Sequence, residues 1–133
     1  MKKNLFIALA LLVLLFAVSC TSLADYYRPS VTTAPVAVLP AGYQPTLEYT
    51  NDIDKAASEM SAKGFVEIGR ISYAGYTVDD AEKQLLKICS EKQAAVAVYS
   101  VDIVEDLNVD YSRYGNTKHW YKAVFFALPQ DKK

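Results

Sequence analysis

Ala94-Ala95-Val96-Ala97-Val98-Tyr99-Ser100-Val101-Asp102-Ile103-Val104 decides the fold. Alanine, valine, tyrosine and isoleucine follow one another with almost no polar alternation, the pattern of a strand buried on both faces. Such a strand belongs in the interior of a sheet. Immediately upstream, Val78, Ala81, Leu85, Ile88 and Cys89 fall on one helical stripe, so Val78 to Lys92 reads as an amphipathic helix, with Thr77 and Asp80 three residues apart as its capping box. Downstream, Glu105 to Thr117 is polar and carries Asp106, Asn108, Asp110, Gly115 and Asn116. It reads as a long hairpin connection or lid before a last strand from Trp120 to Leu128, which Pro129 ends.

Further out, Phe65 to Tyr73 is a strand broken by Gly75. Ahead of it, Ile53, Ala56, Ala57 and Met60 repeat at helical spacing, with Asn51 as N-cap, Asp54 in the N3 place and Gly64 as the left-handed stop. Thr46 to Tyr49 is a short strand. The order strand, helix, strand, helix, strand, strand predicts an α+β domain, a two-layer sandwich of a small mixed sheet with both helices on one face. Crossovers through helices make their flanking strands parallel, and the final pair is an antiparallel hairpin.

The globular domain is thus expected at 46–129, followed by a charged tail at 130–133. Residues 20–45 are rich in Ser, Thr, Pro and Ala without a sustained period, and read as a semi-rigid tether. Within it, Val36 to Leu39 is an apolar patch able to add an edge strand, and Tyr26, Tyr27 and Tyr43 could dock in the same way.

At the start of the chain, Lys2 and Lys3 precede an uninterrupted apolar run from Leu5 to Val18, closed by small residues and Cys20. Ala17-Val18-Ser19-Cys20 resembles the lipobox of bacterial lipoproteins, with Ala17 in the place of the usual leucine. The resemblance implies a signal peptide at 1–19 and acylation of Cys20 with palmitate-type chains. Because Thr21 is not aspartate, it also implies a place on the outer membrane, facing the periplasm of the cell envelope. From the residues themselves, a secretory signal cut after Ala24 and a short membrane anchor remain alternatives. A second resemblance covers Gly64 to Ser100: Gly64-Phe65, Ile68-Gly69, Ile71-Ser72-Tyr73-Ala74-Gly75 and Val96 to Tyr99-Ser100 are similar to a run found in a group of small lipoproteins, with Gln93 and Ala95 in place of a glycine and an aspartate. It implies no reaction.

Removing 1–19 leaves 114 residues, one domain, with 12 basic against 15 acidic side chains and a net charge of −3. A mildly acidic domain without a basic block disfavours nucleic acid and anionic lipid as partners. With Cys20 acylated, Cys89 is left as a lone thiol, and its place on the apolar stripe makes it a small core hydrophobe. One histidine and no CxxC argue against zinc and thioredoxin sites, and no cofactor is expected. Asp102, Glu105, Asp106 and Asp110 lack the spacing of a calcium loop. His119 has no evident nucleophile to activate, and Ser72 and Ser100 lack a nucleophile elbow.

Ten tyrosines are the unusual feature. Tyr73, Tyr76, Tyr111 and Tyr114 lie near strand ends, where rigid amphipathic rings suit contact with a protein or a glycan. The expected role is a lipid-anchored, non-enzymatic interaction module. The alternatives are a small-ligand or stress sensor with a pocket between helices and sheet, and a hydrolase of envelope polymers.

Overall fold

Among the residues that the computed structural model describes, 22–32, 34–75, 77–104 and 118–130, five strands and two α-helices form. In chain order they are β1 (Tyr27–Pro29), β2 (Thr46–Tyr49), α1 (Ile53–Ala62), β3 (Val66–Gly75), α2 (Ala81–Lys92), β4 (Val96–Ile103) and β5 (His119–Ala127). A 3-10 turn at Leu23–Tyr26 leads into β1. The sheet runs β1-β3-β5-β4-β2, with β2 parallel to β4 and the other neighbours antiparallel. The α+β class and the mixed sheet are as the sequence predicts, and β4, from Val96 to Ile103, is an interior strand.

The placement of both helices on one face is corrected. Strands β2, β3 and β4 point the same way, so β2-α1-β3 and β3-α2-β4 are both crossovers between parallel strands. The first crosses the sheet in one direction and the second returns. Right-handed connections running in opposite directions put their helices on opposite faces. The side chains agree: Ala57 and Met60 of α1 pack with Val96, Val98, Val124 and Phe126. Leu85, Ile88 and Cys89 of α2 pack instead with Ala97, Ala123 and Phe125. Because alternate residues of a strand face opposite ways, these are two cores divided by the sheet. The architecture is three layers, which is why β4 and β5 need no polar alternation.

Helix boundaries shift for local reasons. Asp52, not Asn51, caps α1, its Oδ1 accepting from the Lys55 amide at 3.0 Å. The capping box at Thr77 and Asp80 does not form. Asp80 is itself the N-cap, in the left-handed conformation with φ 52° and without a side-chain cap bond, so α2 begins at Ala81, and the Val78 amide donates to the Tyr121 hydroxyl at 2.9 Å. Gly64 has φ +96° and ends the turn after α1 as expected, whereas Gln93 takes the left-handed conformation after α2 with φ 63°.

The tether expected at 20–45 is also corrected, because Leu23 and β1 belong to the folded body. Leu23 is fully buried, its amide donates to Gln84 Oε1 at 2.8 Å, and β1 pairs with Gly69 to Ile71 of β3. Tyr27 lies flat where a side chain on Gly69 would stand: a Cβ there would come within 2.2 Å of its ring. The Tyr27 hydroxyl donates to the Ile68 carbonyl at 3.0 Å. Further on, the Ala37 amide donates to the Leu128 carbonyl and the Leu39 amide to Gln93 Oε1, each at 2.9 Å, so the apolar patch is docked as well.

Burial sets the chemistry of Cys89. Desolvation pushes its thiol up to about 12, and Tyr99, whose hydroxyl donates to Glu82, is likewise pushed up to about 12, chiefly by that bond. Groups whose pKa rises on folding contribute stability that is present below their unfolded pKa and lost as pH climbs toward the folded one. Stability is therefore expected to fall between about pH 9 and pH 12. At pH 8 the folded Cys20→Ala chain should leave an aromatic disulfide reagent unreacted, with Cys89 reporting only after denaturant is added; reaction at the rate of a free thiol would contradict this packing.

Candidate functional site

Helix α1 is short, and it covers only half of its face of the sheet. Beyond its N-terminus the same face continues through the second halves of β3 and β4 and the start of β5, where the alternating positions carry polar side chains: Arg70 and Ser72, Asp102, and Trp120 and Lys122. The result is an open groove of about 260 Å³ between α1 and the sheet, lined by Ile53, Asp54, Arg70, Ser72, Trp120 and Lys122. A second shallow depression, between α1 and the start of β3, shares Asp54 and Arg70 with it.

The groove is held together by its own polar contacts. Trp120 Nε1 donates to Ser72 Oγ at 2.8 Å, which fixes the indole across the β3–β5 pair. Lys122 Nζ lies 3.9 Å from the centroid of that ring and 3.4 Å from Asp102 Oδ2. Arg70 donates through Nε and Nη2 to Glu67 Oε1 at 3.1 and 2.6 Å and approaches Asp54 Oδ1 at 4.0 Å. That bond, the largest cause, holds the Glu67 carboxyl below the usual carboxylate range and raises Arg70. Pairs this exposed contribute little to stability. Their effect is to set donors and acceptors side by side around a partly exposed indole, an arrangement that can take up hydroxyl, amide or carboxylate groups beside an apolar ring.

Of the tyrosines singled out from sequence, Tyr73 is half buried on the opposite face. Its ring centroid is 4.5 Å from that of Tyr26 and 6.3 Å from that of Tyr121, and it packs against the α2-side core. Tyr76, Tyr111 and Tyr114 lie outside the described residues, as does Cys20. The hydrolase set is not brought together. Asp102 pairs with Trp120 and Ile103 with His119, so Asp102 and His119 stand on opposite faces, and Ser72 is engaged by Trp120. His119 Nδ1 is 3.3 Å from Thr77 Oγ1. Asp106 lies outside the described residues. Among the described residues no three His, Cys, Asp or Glu side chains are grouped to hold a metal ion, and no helix is long and apolar enough to cross a membrane.

The signal for this groove was present in the sequence. Trp120 and Lys122, two apart and followed by the apolar run Ala123 to Ala127, mark one face at the start of β5 as uncovered. Comparison with models of known families, with curated proteins and with solved structures finds no match to this chain.

Proposed function

We propose that this chain is a bacterial envelope lipoprotein, acylated on Cys20, whose domain is a non-enzymatic interaction module that docks an envelope protein or glycan in the groove beside Trp120. The observation that carries the docking reading is the half-face of sheet that α1 leaves uncovered, with the indole and the Lys122–Asp102 pair set in an open groove. Binding sites are concave and mix an apolar ring with a few placed polar groups, and this groove has both. Its volume suits one ring or one side chain of a partner rather than a deeply enclosed substrate.

Anchoring is tested by labelled palmitate: the wild type should take up label and Cys20→Ala should not, whereas equal labelling would contradict the lipoprotein reading. Docking is tested by crosslinking from intact envelopes, with Lys122→Glu and Arg70→Ala compared with wild type. Arg70→Ala should change stability by no more than about 0.5 kcal/mol, and Lys122→Glu should cost about 1 kcal/mol because it sets a second carboxylate beside Asp102, so both variants stay folded. Loss of one specific partner is expected, and an unchanged partner list would contradict the groove assignment.

A further inference from the structure

Resting on the docking reading of the groove, we infer that its occupant is an uncharged stretch of a linear glycan, with two neighbouring sugar rings seated along α1. Two depressions adjoin there. The first, of about 260 Å³, holds Ser72, Trp120 and Lys122, and the second, of about 350 Å³, holds Ser58, Ser61 and Glu67. Asp54 and Arg70 line both and approach each other to 4.0 Å, so this pair stands between the two recesses. Each recess is open and sized for one ring, and successive rings of an unbranched glycan need such a row of shallow seats rather than one enclosed pocket.

Charge selects against the other occupants. Two cations, Arg70 and Lys122, stand among three carboxylates, Asp54, Glu67 and Asp102, and both cations are already paired within the site. One negative charge is left over, so an acidic partner is not drawn in, and a basic one has to compete with Arg70 and Lys122 for their carboxylates. An apolar side chain would take water from these charges and return no hydrogen bond. A sugar hydroxyl both donates and accepts, so it can bond the carboxylate and the cation of one pair without separating them. Trp120 adds the apolar surface that the C–H groups of a sugar ring require: it stays 40% exposed although Lys122 Nζ lies over its ring.

The chain contains one tryptophan, so occupancy beside Trp120 is read from its own emission. The purified mature chain is titrated with glucose, N-acetylglucosamine and their unbranched trimers, maltotriose and chitotriose, up to about 10 mM, which reaches weak small-ligand affinities. One trimer should change the emission and bind at least about tenfold more tightly than its monomer. Its affinity should hold within about twofold between about 0.05 and 0.5 M salt, because no ion pair forms across the contact. Ser61→Leu, on the exposed side of α1, should bring trimer and monomer within about threefold of each other. Arg70→Ala should weaken the trimer at least about tenfold, the worth of a hydrogen bond to a charged group. Unchanged emission with both trimers, or an affinity that falls steeply with salt, would overturn the glycan assignment. A protein partner crosslinked by the wild type and lost in Arg70→Ala would then leave the docking reading standing, and the lack of one would remove both. Wild-type trimer binding by Ser61→Leu would overturn the seating of two rings.

Discussion

Leu23→Ala is expected to cost about 2–5 kcal/mol of folding stability, although Leu23 lies in a stretch whose composition reads as a tether. Its side chain is wholly enclosed in the core between α2 and the sheet, and its amide is bonded across to α2. The cost includes the lost burial of the removed methyl groups and the space left among Leu85, Ile88 and their neighbours in that core. Against a total stability of about 5–15 kcal/mol for a domain, the loss is large. Urea unfolding of the chain beginning at Cys20 should show it as a fall in midpoint with little change in slope. A shift under about 0.5 kcal/mol, the size of a typical surface substitution, would mean that this segment is not part of the body.

Phe125→Ala and Phe126→Ala are each expected to cost about 3–5 kcal/mol, since these are the largest fully buried side chains among the described residues. Both side chains are fully buried, but neighbours in a strand face opposite ways, and each supports a different helix. Milder substitutions separate them. Phe125→Leu should raise hydrogen exchange first in α2, and Phe126→Leu first in α1. Exchange rising in the same helix for both variants would mean that one core serves both helices.

The elements themselves were legible because their signals are local. The unbroken apolar run of Ala94 to Val104, the stripe through Leu85, Ile88 and Cys89, and the stop at Gly64 each depend on a few neighbouring residues. The faces were not legible in the same way, since the hand of a crossover assigns a side only once strand order is known, and that order places β5 between β3 and β4. Yet the run of β4, apolar on both sides, already called for cover on both. Strand β1 was hidden by a composition of prolines and hydroxyl residues. Gly69 inside a strand was the available clue, because such a glycine marks close approach of another group, here the ring of Tyr27. At the site, the number of tyrosines drew attention away from Trp120 and Lys122, whose spacing carried the information. Tyr73 shows why: a ring half buried against Tyr26 and Tyr121 completes a core edge.

Leu23, three residues after the proposed anchor, belongs to the folded body, and amide hydrogen exchange on the chain beginning at Cys20 tests this most directly. The Leu23 amide is bonded to Gln84 and the Ser30 amide to the Ile68 carbonyl at 3.0 Å, so both should exchange as slowly as the strand β3 that they flank. Exchange of both at the rate of an unstructured peptide would contradict it, returning residues 20–45 to the role of a spacer between lipid and domain.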